Sequence, residues 1–153
     1  MKANNENDNK CYKAAEVKLM YLTEVKSSER IRIRNSEDAA AVFFNVWDFQ
    51  TIEHTEEVKM ILLNRANRVL GVASVSKGGM NGSIIDTRIV LQYAIKANAC
   101  AVILAHNHPS GSLEASEADR RVTRLVKEAL KIVDIELLDH LILNKDEEYS
   151  AIK

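Results

Sequence analysis

The stretch Ala99-Cys100-Ala101-Val102-Ile103-Leu104-Ala105-His106-Asn107-His108-Pro109-Ser110-Gly111 decides how the chain is read. Its first seven residues, Ala99 to Ala105, form the longest apolar run in the sequence. That is the length of a strand and far short of the roughly 20 residues a membrane-spanning helix needs. A continuous apolar run of strand length reads as a strand buried on both faces, inside a sheet covered on both sides. Side chains two apart in extended backbone point the same way, so His106 and His108 face one side together. Pro109, the only proline, and Gly111 then end the strand and turn the chain. The C-terminal edge of a buried strand is where α/β proteins place their ligands.

The rest of the chain supplies elements to cover such a strand. Ser36 ahead of Glu37 and Asp38 suits a helix N-cap with an acidic first turn, and this helix runs to about Trp47. Val58 to Leu63 and Val69 to Val75 read as strands around the turn Asn64-Arg65-Ala66-Asn67. Asp86 can cap a helix with the apolar face Ile89, Val90, Tyr93, Ala94 and Ala97. A further helix from Ser116 to about Asp134 turns Val122, Leu125, Val126, Ala129, Leu130 and Val133 inward. Ile135 to Leu143 and Tyr149 to Ile152 complete the strands downstream. Upstream, Val17, Leu19 and Tyr21 alternate with Lys18 and Met20, and Ile31 and Ile33 alternate with three arginines, which predicts two more strands. Residues 1–14 are polar and aperiodic and read as a flexible tail, leaving 15–153 as a single domain. Interleaved strands and helices, with some strands close enough for hairpins, predict an α/β fold built on a mixed sheet with helices packed on it.

Composition narrows the function classes. The chain has 153 residues, 46% of them hydrophobic and 28% charged, an ordinary globular mixture. Twenty-one basic residues against 22 acidic ones leave a formal charge of −1, so no global field draws the chain to nucleic acid or anionic membrane. Two cysteines, Cys11 and Cys100, can build neither a metal knuckle nor a disulfide framework, and they read as reduced thiols in a reducing, cytoplasmic compartment. Met1 to Lys10 contains no apolar stretch of the kind a secretory signal needs.

The chemistry concentrates after Ala105. Eight residues beyond His108 stands Ser116, and three further on Asp119, at the start of the predicted helix. A helix folded back over the strand end can bring Asp119 beside both imidazoles. Two His and one carboxylate form a three-ligand set with a fourth position left for water, the design of a catalytic zinc site. Spacing alone leaves two alternatives open: a metal site, or hydrogen-bonded histidines beside a Ser-x-x-Asp capping pattern. A metal-bound water also needs a general base, and Glu53, Glu56 and Glu57 lie just before the Val58 strand. Glu56 shares its face with Val58, Met60 and Leu62, whereas Glu57 shares its face with Lys59 and looks more solvated. A partly desolvated carboxylate can serve as base and then acid, which favours Glu56.

The run His106-Asn107-His108-Pro109-Ser110-Gly111, followed by Ser116 and Asp119, resembles the H-x-H-x7-S-x2-D motif of the JAMM (JAB/MPN) metalloprotease superfamily. The Asn between the histidines and the Pro-Ser-Gly after them resemble its RadC-like bacterial branch. The likeness runs from about Ile31 to Ile152 and includes Leu138-Asp139-His140 and Tyr149-Ser150. It implies a JAB/MPN fold similar to that of cytidine deaminases, a mixed sheet sandwiched by helices. It further implies zinc held by His106, His108 and Asp119, a water activated by Glu56, and an oxyanion stabilised by Ser116. The implied reaction is hydrolysis of a peptide or isopeptide amide bond in a peptide or protein substrate. Ala115 stands where RadC-like sequences usually carry Pro, which touches loop stiffness and not ligation. Compared with longer RadC proteins, the chain reads as lacking their N-terminal helical region.

Other signals are weaker. His54-Thr55-Glu56 matches half of a zinc deaminase signature, but the P-C-x-x-C half is missing. Gly78 to Gly82 matches neither a P-loop nor a dinucleotide fingerprint and reads as a loop. Arg120, Arg124, Lys127 and Lys131 form a basic stripe on the last helix, and Arg30, Arg32 and Arg34 another. Either could meet phosphates in a DNA-associated accessory protein, but balancing acids and the lack of interleaved aromatics favour solvated faces. A non-catalytic scaffold is disfavoured because every motif position is filled. His140, inside an apolar strand, reads as a satisfied core histidine, Cys100 as a small core residue, and Trp47 as an anchor. The Ile31 strand could be an edge that pairs with a second copy in a homodimer.

Overall fold

The computed structural model describes residues 15, 17–18, 20–78 and 85–153. The expected tail, Cys11, and most of the glycine loop lie outside the described residues. The elements, in chain order, are α1 (Ser36–Val46), β1 (Glu57–Leu63), β2 (Val69–Lys77), α2 (Thr87–Lys96), β3 (Ala101–Asn107), α3 (Glu117–Ile132), β4 (Glu136–Leu143) and β5 (Tyr149–Ala151). One mixed sheet has the order β2-β1-β3-β4-β5. Only the β3–β4 pair is parallel.

All seven residues of β3 are buried, as its apolar run requires. The two-residue period of the strands sends alternate side chains to opposite faces. On one face Ile61, Leu63, Ile103 and Leu141 meet Ala39, Ala40 and Phe43 of α1. On the other, Met60, Leu62, Val102 and Leu104 meet Val90 and Ala94 of α2 and Val126 and Leu130 of α3. Each such fully buried aliphatic side chain contributes roughly 1.5–3 kcal/mol. The sandwich of helices around a mixed sheet is the expected α/β arrangement.

Two local features aim the side chains that matter later. First, parallel β3 and β4 need a crossover, and α3 supplies it, so α3 begins at the C-terminal end of β3. Second, the β3–β4 register shifts between Val102 and Ile103, so that Val102 faces Leu137 but Ile103 faces Asp139. The extra residue in β4 puts Leu137 and His140 on the α3 side, three positions apart, where a regular strand would put Leu137 and Asp139. Asp139 faces α1 instead and accepts a 2.5 Å hydrogen bond from Ser36 Oγ.

Several expectations are corrected. Val17, Lys18, Met20 and Tyr21 do not form a strand, and Leu19 lies outside the described residues. Tyr21 is nevertheless tied to the sheet, its hydroxyl donating to the Leu70 carbonyl. Around Ile31 and Ile33 only one bridge forms, between Arg32 and Arg68, because the chain turns into α1 just beyond it. Ile33 is buried and Ile31 is 56% exposed, so the segment keeps the expected alternation without forming the strand. The N-cap of α1 is Asn35, not Ser36: Asn35 Oδ1 accepts from Asp38 N at 2.8 Å. Tyr93, Leu125 and Val133, expected to face inward, are 40% exposed or more. Cys100 is half-buried, since it lies in the turn before β3 and not within it. Trp47 is the buried C-cap of α1, with Lys59 Nζ 5.3 Å from its ring centroid.

Asn107, fully buried at the end of β3, fastens the segment leading into β1. Its Nδ2 donates to Ile52 O (2.6 Å) and Thr55 O (2.9 Å), and its Oδ1 accepts from Glu57 N (2.8 Å). Replacing it leaves three backbone groups unpaired, those of Glu57 and Ile52 in buried bonds and that of Thr55 in a part-buried one, each costing roughly 1–3 kcal/mol. Asn107→Ala is therefore expected to lower unfolding free energy by about 3 kcal/mol or more in urea titration; a loss under about 1 kcal/mol would contradict this role.

Candidate metal centre

His106 is the penultimate residue of β3 and 1% exposed. Pairing of His106 with Val58 across β1 sets its ring on the α3 side of the sheet. His108, one residue past the strand, emerges on the same side, and the chain then turns. Gly111 closes that turn at φ 79°, a left-handed conformation that favours glycine, with its N–H donating to His108 O at 2.9 Å. The turn brings Ser112 O to 2.9 Å from His108 Nδ1.

Asp119 comes from the first turn of α3. Ser116 caps this helix with a full capping box: Asp119 N donates to Ser116 Oγ (3.1 Å), and Ser116 N donates to Asp119 Oδ2 (2.7 Å). The Ser116 hydroxyl also lies 2.6 Å from Asp119 Oδ2 and donates to it. Helix capping, one of the two readings of Ser-x-x-Asp, is thus formed, and it aims the carboxylate at the histidines. Asp119 Oδ1 lies 3.4 Å from His106 Nε2, and Asp119 Oδ2 lies 3.5 Å from His108 Nε2. The two Nε2 atoms are 3.0 Å apart. One ligand atom from each of His106, His108 and Asp119 lies within 4.8 Å of the others, the spacing of a shared ion.

The three candidate glutamates separate cleanly. Glu53 is exposed and paired with Lys145 at 2.8 Å. Glu56, half-buried, lines a 280 Å³ cavity together with His106 and Asp119, whose apolar wall includes Val58, Ile85 and Val122. Its carbonyl accepts from Gly78 N at 2.8 Å, which extends the β1–β2 pairing to this residue. Glu57 faces the opposite side and is not solvated as expected: it is 6% exposed, held by Lys77 (2.7 Å) and Lys59 (3.1 Å). Burial pushes the Glu57 carboxyl up, but hydrogen bonds and charge from the two lysines outweigh it and hold the group below the ordinary carboxylate value.

Two neighbours of this centre were not singled out from the sequence as part of it. His140 Nε2 lies 2.8 Å from His106 Nδ1, and His140 Nδ1 lies 2.6 Å from Thr123 Oγ1, which itself approaches Asp119 O at 2.6 Å. The reading of His140 as a satisfied core residue holds as far as it goes, for it is 1% exposed with both ring nitrogens partnered. Its neighbour, however, is a candidate ligand. Thr123 could have been noticed one helical turn after Asp119, on the same face.

Hydrogen counting tests whether a cation fits. From the Asp119 carbonyl through Thr123, His140, His106 and His108 to the Ser112 carbonyl run five approaches of hydrogen-bond length. One hydroxyl and three neutral imidazoles supply only four hydrogens. Both ends are carbonyl oxygens, which only accept. One approach therefore lacks a hydrogen, and the Asp119 carboxylate sits beside the one between His106 Nε2 and His108 Nε2. A divalent cation there meets two imidazole lone pairs and a carboxylate, a donor set that suits zinc. Burial pushes the His106 imidazole down to about 4 and His140 down to about 3, so neither supplies the missing charge as a proton at neutral pH. Burial pushes the Asp119 carboxyl up, but the Ser116 hydroxyl and N–H, then the two imidazoles, hold it below its ordinary value.

The basic stripes stand apart from this centre. Arg124, Lys127 and Lys131 are exposed on α3, and Arg120 donates to Lys153 O at 3.3 Å. Among the described residues no helix is long and apolar enough to cross a membrane.

Residues 33–153 match the RadC-like JAB domain family. The chain is 42% identical over 97 residues to a UPF0758 protein of Flavobacterium johnsoniae, covering 63% of this chain and 42% of that protein. It is 41% identical over 118 residues to a UPF0758 protein of Clostridium tetani, covering 77% and 50%. A UPF0758 protein of Porphyromonas gingivalis is 33% identical over 125 residues, covering 82% and 55%. The chain thus spans about half the length of these relatives.

Both buried histidines have lower proton affinity folded than unfolded, so the unfolded chain binds more protons as pH drops below about 6.5, and stability falls in that direction. Urea titration of metal-free protein is expected to show falling unfolding free energy from pH 6.5 toward about 4. A flat profile across that window would contradict the neutral, buried state of His106 and His140.

Proposed function

The chain belongs to the RadC-like JAB domain family, and on that premise we propose that it is a zinc-dependent hydrolase of the JAMM metallopeptidase type, cleaving an amide bond in a peptide or protein. The observation that supports this most is the convergence of His106 Nε2, His108 Nε2 and Asp119 on a gap without a hydrogen, with Glu56 on the same cavity.

His106, His108 and Asp119 would hold the ion and leave a position for water. Zinc, when bound, polarises a substrate carbonyl and lowers the pKa of bound water to about 7. Glu56 receives the proton released by the attacking water and passes it to the leaving amine. Its half-buried place on the same cavity as Val58, His106 and Asp119 suits both roles. Ser116 turns its hydroxyl from Asp119 Oδ2 toward the oxyanion that forms on the carbonyl, at the exposed mouth of the site. Val58, Ile85 and Val122 exclude water and receive an apolar part of the substrate.

Glu56 is not among the proposed ligands, which separates binding from turnover. Glu56→Gln is expected to retain one zinc per chain by mass spectrometry while cleavage of a peptide library falls roughly 10²–10⁴-fold. His106→Ala is expected to lose both zinc and cleavage. A Glu56→Gln protein stripped of zinc, or one that cleaves as fast as the parent, would overturn the assignment.

A further inference from the structure

The hydrogen shortage has a direction, and His140 sets it. We propose that His140 and Thr123 are positioning residues that hold the His106 ring with its hydrogen on Nδ1, so that Nε2 offers its lone pair before any metal arrives. This rests on the metal-site reading above and adds to it a device outside the ligand set.

Asp119 O only accepts, so the Thr123 hydroxyl, 2.6 Å away, spends its single hydrogen there. Thr123 Oγ1 must then accept from His140 Nδ1–H across 2.6 Å. A neutral His140 has no second hydrogen, so its Nε2 accepts from His106 Nδ1–H at 2.8 Å. His106 Nε2 is left bare. The opposite polarity would put Thr123 Oγ1 and Asp119 O at 2.6 Å with no hydrogen between them, a repulsive contact.

The relay is built into the fold. Thr123 and Asp119 lie one turn apart on α3, and the β4 register shift puts His140 on the α3 side. His106 and His140 are each 1% exposed, so water cannot substitute for a lost partner without a cavity. Partners of this kind orient ligands and tune affinity in metal sites generally.

The test uses the full chain. In metal-free wild type, long-range ¹H–¹⁵N correlation spectra are expected to show His106 carrying its hydrogen on Nδ1. Zinc affinity, read by competition with a chromophoric chelator, is expected to fall roughly 10- to 100-fold in His140→Leu. His140→Gln, whose amide oxygen can accept from Nδ1–H, is expected to recover most of that loss. Thr123→Val is expected to weaken zinc binding and to mix the His106 tautomers. The inference is overturned if metal-free His106 carries its hydrogen on Nε2, or if folded His140→Leu and Thr123→Val bind zinc as wild type does. Should His140→Leu not fold, Thr123→Val and the wild-type spectrum decide alone. A wild type that binds no zinc overturns the metal-site reading along with the relay, whereas zinc-binding variants that match it overturn the relay only.

Discussion

His106 stands between two demands that must be met at once. Its Nδ1 faces a buried imidazole, and its Nε2 faces another imidazole and a carboxylate. In water each nitrogen would find its own partner. Here the ring is sealed, its hydrogen can serve only one side, and the other is left as an electron pair beside two more donors. Burial disfavours a second proton on His106 itself. A divalent cation would resolve the hydrogen shortage, and much of the surrounding architecture holds the three side chains that would bind one.

That architecture is economical in its parts. The parallel pairing of β3 with β4 demands a crossover, and α3 provides it with its N-terminus above the strand end. The capping box that starts this helix uses Asp119 twice, once to satisfy the backbone of Ser116 and once to face the histidines. Asn107, between the two histidines, points to the opposite side of the sheet and fastens the loop that ends at Glu56. Strand alternation thus lets one short segment hold a ligand pair on one face and a structural bolt on the other.

Much of this was legible in the sequence, for physical reasons. The apolar run before His106, the two-residue spacing to His108, and the helix start at Ser116 are local patterns, and local patterns place β3 and α3 and bring His106, His108 and Asp119 together. The place of Glu56 on the His106 side followed from strand phase, although the contrast with Glu57 was drawn wrongly: Glu57 is buried and neutralised by a largely covered Lys59 and by Lys77, which reaches it from the surface. The strand expected at Ile31 failed because alternation reports a half-buried backbone but not whether a partner continues beside it. His140 escaped notice as part of the centre because its orientation depends on a register shift in β4 relative to β3. A sequence does not display such a shift. The relatives extend well beyond the aligned residues.

X-ray absorption spectroscopy of the zinc-loaded chain reads whether His106, His108 and Asp119 share a cation. The expected spectrum shows two imidazole nitrogens at about 2.0–2.1 Å with the remaining scatterers oxygen at about 2.0–2.2 Å, and the imidazole signature halves in His108→Ala. A shell of oxygen alone, a sulfur scatterer from a cysteine, or zinc that washes away on gel filtration would contradict it.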